Sequence, residues 1–271
     1  MALTEFQRTL CRLIARQRRD SGESYVAGGV ALNAATGAAR LSRDIDLFHD
    51  TTEAVAASWE ADRRLLQAGG YQVDAQRERE GFVEALVSRA GESVMIQWAQ
   101  DSAFRFFPLV EHDDFGLTLH PFDLATNKVL ALVGRLEARD WVDVINCHER
   151  IQRLGCLAWA ASGKDPGFSP TAILEQAGRS ARYSAAEIAA LAFTGAPPDA
   201  AELSRRWHGM LQEAREIVAA LPPAEVGKCV LNSGGAVFAG DADRLRAALA
   251  AATVRFHQGR IRGALPQLRG N

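Results

Sequence analysis

The sequence predicts an α+β fold in which a mixed β-sheet with helices packed on one face is followed by a mainly helical half. In the first part of the chain, amphipathic helical segments alternate with short strand-like runs, as in sheets flanked by helices. From Pro121 onward the apolar periodicity becomes helical and stays so for about a hundred residues. We therefore expect an α/β domain over residues 1–120 and a mainly helical domain over residues 121–271.

Periodicity and glycine-bearing ends define the elements of the first domain. Leu3, Phe6 and Leu10 recur near the 3.6-residue helical period, and two glycines end the second amphipathic helix. Polar turns, QRERE and RAGE, separate the last three strands. The predicted elements are a helix over residues 3–19, a strand over 25–27, a helix beginning at Gly28, a strand over 44–48, a helix over 53–67, and strands over 71–75, 81–88 and 93–98.

Capping signals and chain breaks set the boundaries in the second domain. Ser184 and Glu187 form a capping box for a helix that ends near Phe193. Residues 228–239, centred on a Ser-Gly-Gly turn, predict a hairpin. The remaining predicted elements are adjacent helices over residues 122–135 and 139–154, a loop over 163–170, a break over 195–199, a helix through Leu221 and a last helix from Asp241.

Composition is that of a globular protein. With 48% hydrophobic and 24% charged residues, the chain is neither disordered nor fibrous. The longest apolar runs, such as residues 188–193, are too short to span a membrane, and the N-terminal segment lacks the continuous apolar core of a secretory signal. The formal net charge of −2 gives no general attraction to nucleic acid.

The four cysteines indicate a reducing compartment. They have no paired spacing, which in a chain of this size predicts reduced thiols and a cytoplasmic protein. A zinc site at Cys147, His148 and Cys156 is disfavoured because both segments look helical and no second close pair exists.

Asp44 and Asp46 are the residues that indicate a functional site most directly. Because side chains alternate along a strand, the two carboxylates share one face, whereas Ile45 points to the other. Two close, unpaired carboxylates usually either share a proton or hold a divalent cation. We interpret the pair as a metal site.

Gly28 and Gly29 lie where a strand ends and a helix begins. Glycine lets backbone N–H groups approach an anion, and a helix N-terminus adds partial positive charge. Together with the two aspartates, this corner suits a nucleoside triphosphate whose phosphates bridge to Mg²⁺. The structural alternatives are a plain glycine turn and an acidic strand end on a partner-binding scaffold.

Two blocks of the sequence resemble the polymerase-β-type nucleotidyltransferase superfamily and, within it, the AbiEii toxin family of type IV toxin–antitoxin systems. The blocks are GGVALNAATGAARLSRDIDLF at residues 28–48 and DLATNKVLALVGRLEARDWVDV at residues 123–144. The resemblance implies a polymerase-β-like mixed sheet with flanking helices, and a cleft to which the helical domain contributes Lys128 and Asp143.

The resemblance also implies roles for individual residues. Asp44 and Asp46 correspond to the ligands of Mg²⁺, and Lys128 resembles the family's lysine that contacts the nucleotide phosphates. Asp143 resembles the family's second acidic position, whereas helix capping is a sufficient account of Asp140. The implied phosphate cradle consists of Gly28, Gly29 and Ser42, assisted by Arg40 or Arg43.

Gln97 occupies the position at which the superfamily commonly has a third carboxylate. A neutral amide does not replace an acid as ligand or base without loss. Four outcomes stay open: Asp101 supplies the charge, Glu84 supplies it, the site works with two carboxylates, or the site is catalytically dead. Val30 also stands where related proteins often have a hydroxyl residue.

The expected function is Mg²⁺-dependent transfer of a nucleoside monophosphate from a nucleoside triphosphate to a macromolecular hydroxyl, on a tRNA 3′ end or a protein. The resemblance further implies a toxin whose antitoxin is encoded nearby. The alternative is a catalytically impaired nucleotide- or partner-binding module that kept the nucleotidyltransferase fold.

Overall fold

The computed structural model describes residues 3–179 and 183–268, and the chain forms two compact units. Unit 1 runs through Ala103 and also includes Leu109–His120 and Ala192–Gly195. Unit 2 comprises Phe104–Pro108, Pro121–Leu191 and the chain from Ala196 onward. Each unit is described by itself.

The first half of the chain contains three helices and most of the strands. In order, the elements are α1 (Glu5–Ser21), β1 (Ser24–Ala27), α2 (Gly28–Thr36), β2 (Asp44–His49), α3 (Thr52–Ala68), β3 (Gln72–Arg79), β4 (Phe82–Arg89), β5 (Glu92–Gln100), β6 (Phe104–Arg105), β7 (Val110–His112) and β8 (Gly116–Thr118). Strand β6 belongs to unit 2, and the other elements belong to unit 1.

The second half is mainly helical. Its elements are α4 (Pro121–Arg135), α5 (Ala138–Arg150), α6 (Leu154–Ala161), α7 (Pro170–Gly178), α8 (Ala185–Ala189), α9 (Ala200–Ala220), β9 (Lys228–Asn232), α10 (Ala242–Ala250), β10 (Val254–Gln258) and β11 (Arg260–Ile261).

Unit 1 is built on a seven-stranded mixed sheet in the order β3-β4-β5-β2-β1-β8-β7. Strand β2 is antiparallel to β1 and parallel to β5, and β1 is parallel to β8. The predicted α+β class with a mixed sheet is therefore confirmed.

The two faces of the sheet differ in burial. Along β2, Ile45, Leu47 and His49 are buried, while the alternate side chains are only partly buried. Helices α1 and α3 pack against the buried face, where the rings of Trp59 and Trp98 lie with centroids 4.8 Å apart. Period-2 alternation thus places the apolar residues of β2 in the core and leaves the aspartate face half-open.

Strand β3 is longer than predicted. The strand continues through Arg79, into the QRERE segment for which the sequence predicts a polar turn. The reason is that β3 is an edge strand whose side chains are largely exposed, so it needs no apolar alternation, and Arg77 lies 3.7 Å from Glu84 on β4. The three-residue strands β7 and β8 carried no predictive pattern.

The helical half differs from the prediction in three places. The single helix expected over residues 139–154 is two helices, because the ring Nδ1 of His148 accepts a hydrogen bond from the backbone N–H of Leu154 at the break between them. The hairpin expected over residues 228–239 forms as a short turn, since the backbone N–H of Asn232 donates to the carbonyl of Ala236 and that of Phe238 donates to the carbonyl of Val230, around an isolated bridge between Leu231 and Val237. The longer pairing of β9 is with β10, which lies beside it along its whole length. Helix α8 ends at Ala189, short of Phe193.

Acidification is expected to destabilise the protein through His49. Burial, followed by the positive charge of Arg18, lowers the pKa of His49 from 6.5 to about 4, so the folded state favours the neutral ring. As the pH falls, the unfolded chain therefore binds this proton before the folded protein does. The stabilisation that the neutral His49 contributes is fully present above pH 6.5 and declines between pH 6.5 and about 4.

Urea unfolding at pH 7 and at pH 4.5 tests this prediction. His49 contributes at most about 3 kcal/mol to the fall in unfolding free energy. A His49→Gln variant, whose side chain does not titrate, should lose correspondingly less on acidification. An unchanged pH dependence in that variant would contradict the assignment.

Candidate active site

Gly28 opens helix α2 and touches a carboxylate of the neighbouring strand. It has a φ of +62°, and a Cβ built at this position would lie 1.8 Å from Oδ2 of Asp46. Glycine is therefore required both by the left-handed backbone and by the close approach of Asp46. The N-cap residue Ala27 makes no side-chain cap hydrogen bond. The first-turn N–H groups, which have no intrahelical partner, thus lie beside the aspartate.

Gly29 lies against a guanidinium and a hydroxyl group. A Cβ at this position would lie 2.8 Å from Nη2 of Arg40 and 2.9 Å from Oγ of Ser42. The side chain of Asn33 donates to the carbonyl of Arg40 at 2.7 Å, and that of Gln7 donates to the carbonyl of Ser42 at 3.0 Å. The loop between α2 and β2 is therefore fixed against the helix N-terminus.

A segment distant in sequence also supports this loop. The backbone N–H of Leu41 donates to the carbonyl of Ala192, and that of Thr194 donates to the carbonyl of Ala39, each at 2.8 Å. Phe193 forms an isolated bridge with Arg40. The backbone on both sides of Arg40 is thus paired, and the Arg40 side chain is buried, whereas Arg43 is exposed.

Asp44 and Asp46 lie on the same, half-buried face of β2. The register places Gln97 of β5 beside Asp46, and Glu84 of β4 beside Gln97. Asp101 lies after the end of β5, and its own Oδ1 accepts a hydrogen bond from the backbone N–H of Ser102. Of the two carboxylates considered as a third acid, only Glu84 therefore belongs to the row that crosses the sheet at Asp46.

The donor set favours a cation that needs few protein ligands. Among the residues that the structure describes, no group of three or more His, Cys, Asp or Glu side chains could hold a metal ion. Mg²⁺ usually keeps several waters and takes one or two carboxylates plus substrate phosphates. Asp44 and Asp46 fit that pattern, and they do not form an all-protein metal cage.

Lys128 and Asp143 belong to unit 2, where they form one buried ion cluster. Nζ of Lys128 lies 2.9 Å from Oδ1 of Asp140 and 3.2 Å from Oδ2 of Asp143. Arg135 donates to both carboxylate oxygens of Asp140, at 2.5 and 2.9 Å. Helices α4 and α5 thus hold the Lys128 ammonium between two acids.

Asp140 is the residue that sequence reasoning underestimated. Its position in the first turn of α5 suggested capping, but its carboxylate is fully buried and binds Lys128 and Arg135. Burial by itself would raise the pKa of Asp140, but the hydrogen bonds from Arg135 and the charge of Lys128 outweigh it and hold the pKa below its usual value. The feature of the sequence that could have indicated this role of Asp140 is the presence of two cationic residues, Lys128 and Arg135, shortly before it in the chain.

Replacing Asp140 by asparagine is expected to lower the free energy of unfolding by about 2 kcal/mol, because hydrogen bonds to charged partners are lost in a buried cluster. Urea denaturation measures this change. Glu137→Gln is the matched control, since Glu137 pairs with Arg135 and Arg139 at the surface and should contribute less than about 1 kcal/mol. Equal stabilities of the two variants would refute the prediction.

The fold is shared with two solved structures, one of which is that of a nucleotidyltransferase toxin. JHP933 from Helicobacter pylori is 16% identical, with 80% of this chain and 95% of that chain covered and a TM-score of 0.51. MenT4, the nucleotidyltransferase toxin Rv2826c from Mycobacterium tuberculosis H37Rv, is 13% identical, with 81% and 85% covered and a TM-score of 0.51. A comparison with curated proteins found no match.

The family follows from the sequence match. The model of the nucleotidyl transferase AbiEii toxin family, of type IV toxin–antitoxin systems, matches residues 12–219. The chain belongs to this family and is therefore a nucleotidyltransferase of the toxin class, which confirms the resemblance found in its two sequence blocks. No helix in the described ranges is long and apolar enough to cross a membrane.

Proposed function

We propose that this toxin nucleotidyltransferase binds a nucleoside triphosphate together with Mg²⁺. It transfers the nucleoside monophosphate to a hydroxyl of a tRNA 3′ end or of a protein. In this reaction the acceptor oxygen bonds to the α-phosphorus, and the bond from that phosphorus to the α,β-bridging oxygen breaks. Pyrophosphate leaves, and the acceptor hydroxyl gives up its proton.

The observation that carries the proposal is the contact of Asp46 with Gly28 at the N-terminus of α2. It brings a carboxylate next to backbone N–H groups, so that a cation ligand and an anion-binding corner adjoin. The guanidinium of Arg40 and the hydroxyl of Ser42 lie next to the adjacent residue, Gly29. A carboxylate, a guanidinium and a helix N-terminus thus lie close together at one corner of the sheet.

Each residue of this corner has its own role in the proposed reaction. The N–H groups of Gly28 and Gly29 and the hydroxyl of Ser42 bind phosphate oxygens, and the Arg40 guanidinium neutralises their charge at short range. Asp44 and Asp46 hold Mg²⁺, which when bound neutralises phosphate charge and lowers the pKa of the attacking hydroxyl. Arg43, which is exposed, is proposed as an auxiliary contact.

Lys128 and Asp143 are proposed as site residues on the family resemblance. In that assignment Lys128 contacts nucleotide phosphate as a compact point charge, and Asp143 orients its ammonium. Their mutual distance of 3.2 Å supports the orienting role of Asp143. We also propose that the protein acts in the cytoplasm, where an antitoxin encoded nearby counteracts it, and the four free, buried cysteines are consistent with a reducing compartment.

Purified protein, Mg²⁺ and each labelled nucleoside triphosphate, offered bulk tRNA or cell lysate, test the proposal. Label should enter an RNA or protein band and should disappear with Asp44→Asn and with Lys128→Ala. Absence of any labelled product that depends on these residues would count against the transferase function. Growth arrest on expression, relieved by the product of a neighbouring gene, tests the toxin role.

Gln97 motivates a second candidate, a nucleotide-binding module without turnover. Gln97 is the strand partner of Asp46, and no group of three or more His, Cys, Asp or Glu side chains that could hold a metal ion occurs among the described residues. Calorimetry that shows tight triphosphate binding without transfer, unchanged by Gln97→Asp, would favour this candidate.

A further inference from the structure

Gln97 lies in the middle of a row of polar side chains that crosses the sheet. The register pairs Asp46 with Gln97, Gln97 with Glu84, and Glu84 with Arg77. Because neighbouring strands are about 4.8 Å apart, the backbones at Asp46 and Glu84 are separated by about 10 Å with Gln97 between them. Gln97 is thus the residue of β5 that lies beside Asp46, whereas Met95 lies beside Asp44.

Both oxygens of Glu84 are engaged by protein groups. Its Oε2 accepts a hydrogen bond from Nε2 of Gln97 at 2.8 Å, and its Oε1 lies 3.7 Å from Nε of Arg77. Glu84 therefore acts on Gln97, and it is not the acid that replaces the missing third carboxylate.

This contact fixes the direction of the Gln97 amide. A carboxylate only accepts hydrogen bonds, so the NH₂ end of the amide must face Glu84. The amide oxygen is therefore the end turned away from Glu84, and β2, with Asp46 at the paired position, is the neighbour of β5 on the side opposite β4.

We propose that Gln97 is the third oxygen donor to the cation held by Asp44 and Asp46, and that Glu84 is a positioning residue that orients its amide. This inference rests on the proposed function. It means that the site carries one negative charge fewer than a three-carboxylate site, so it binds a divalent cation alone more weakly and relies more on the triphosphate.

Titration of the protein with Mn²⁺ alone, followed by the spectroscopic signal of the free ion, tests the proposal without any turnover. Gln97→Met keeps the size of the side chain but removes the oxygen, and it should weaken Mn²⁺ binding about tenfold. Gln97→Glu adds a carboxylate and should tighten binding. Glu84→Gln removes the fixed direction of the amide and should weaken binding several-fold.

Gln100→Met is the matched control, because Gln100 is an exposed amide of the same strand on the opposite face. It should bind Mn²⁺ like the wild type. Should Gln97→Met fail to fold, Glu84→Gln and Gln97→Glu still decide the question. Mn²⁺ binding that depends on Asp46 but is unchanged by these two variants would overturn this inference alone, whereas a wild type that binds no Mn²⁺ would overturn the proposed cation site as well.

Discussion

Replacing Asp46 by asparagine is expected to reduce nucleotidyl transfer about a thousandfold, because loss of the proposed cation ligand would remove several kcal/mol of charge stabilisation from the transition state. The side chain keeps its size beside Gly28, so the fold should survive. Single-turnover transfer of a labelled nucleotide to the acceptor measures the rate, and urea denaturation confirms that the variant is folded.

Asp74→Asn is the matched control for this experiment. Asp74 lies on the edge strand β3, where its carboxylate accepts a hydrogen bond from Gln72. Its replacement should leave the transfer rate within a factor of about two, since surface substitutions rarely change more than about 0.5 kcal/mol. A folded Asp46→Asn enzyme with the rate of this control would disprove the role of Asp46.

Replacing Gly28 by alanine is expected to damage both stability and activity. The φ of +62° makes an L side chain cost about 1 kcal/mol, and the clash of Cβ with Asp46 adds a similar or larger amount, for a total of about 3 kcal/mol. The carboxylate must move away to relieve the clash, and a displacement of about 1 Å at a catalytic group can cost a hundredfold in rate.

Gly22→Ala separates the two effects. Gly22 ends helix α1 with a φ of +68°, but a Cβ there meets nothing within 4 Å. This variant should lose only the backbone cost of about 1 kcal/mol and keep full transfer activity. If Gly28→Ala proves no worse than Gly22→Ala in both measurements, the contact with Asp46 is unimportant.

Local periodicity explains why part of the fold and site was predictable. The alternation of apolar and acidic residues from Asp44 to His49 fixes which side chains share a face, whatever the rest of the chain does. Gly28 and Gly29 likewise mark the end of a strand and the start of a helix from their immediate neighbours. The α+β class and the family could therefore be inferred from short segments.

Contacts between distant segments explain what was not predictable. The strand partner of β9 lies beyond α10, and an edge strand such as β3 has no buried face to impose a pattern. Asp140 resembles a capping acid in sequence, and only the packing of α4 on α5 reveals that it binds Lys128. Non-local pairs of this kind leave no periodic trace in the sequence.

The pairing of residues 192–194 with the backbone around Arg40 has a consequence for biosynthesis. Chains emerge from the ribosome N-terminus first, and early segments begin to fold before later ones exist. Until Thr194 has emerged, the carbonyl of Ala39 and the N–H of Leu41 lack their native partners. A nascent polypeptide that already carries both aspartates therefore still lacks part of the backbone pairing that holds the Arg40 loop, so the proposed phosphate-binding corner is completed only late in translation.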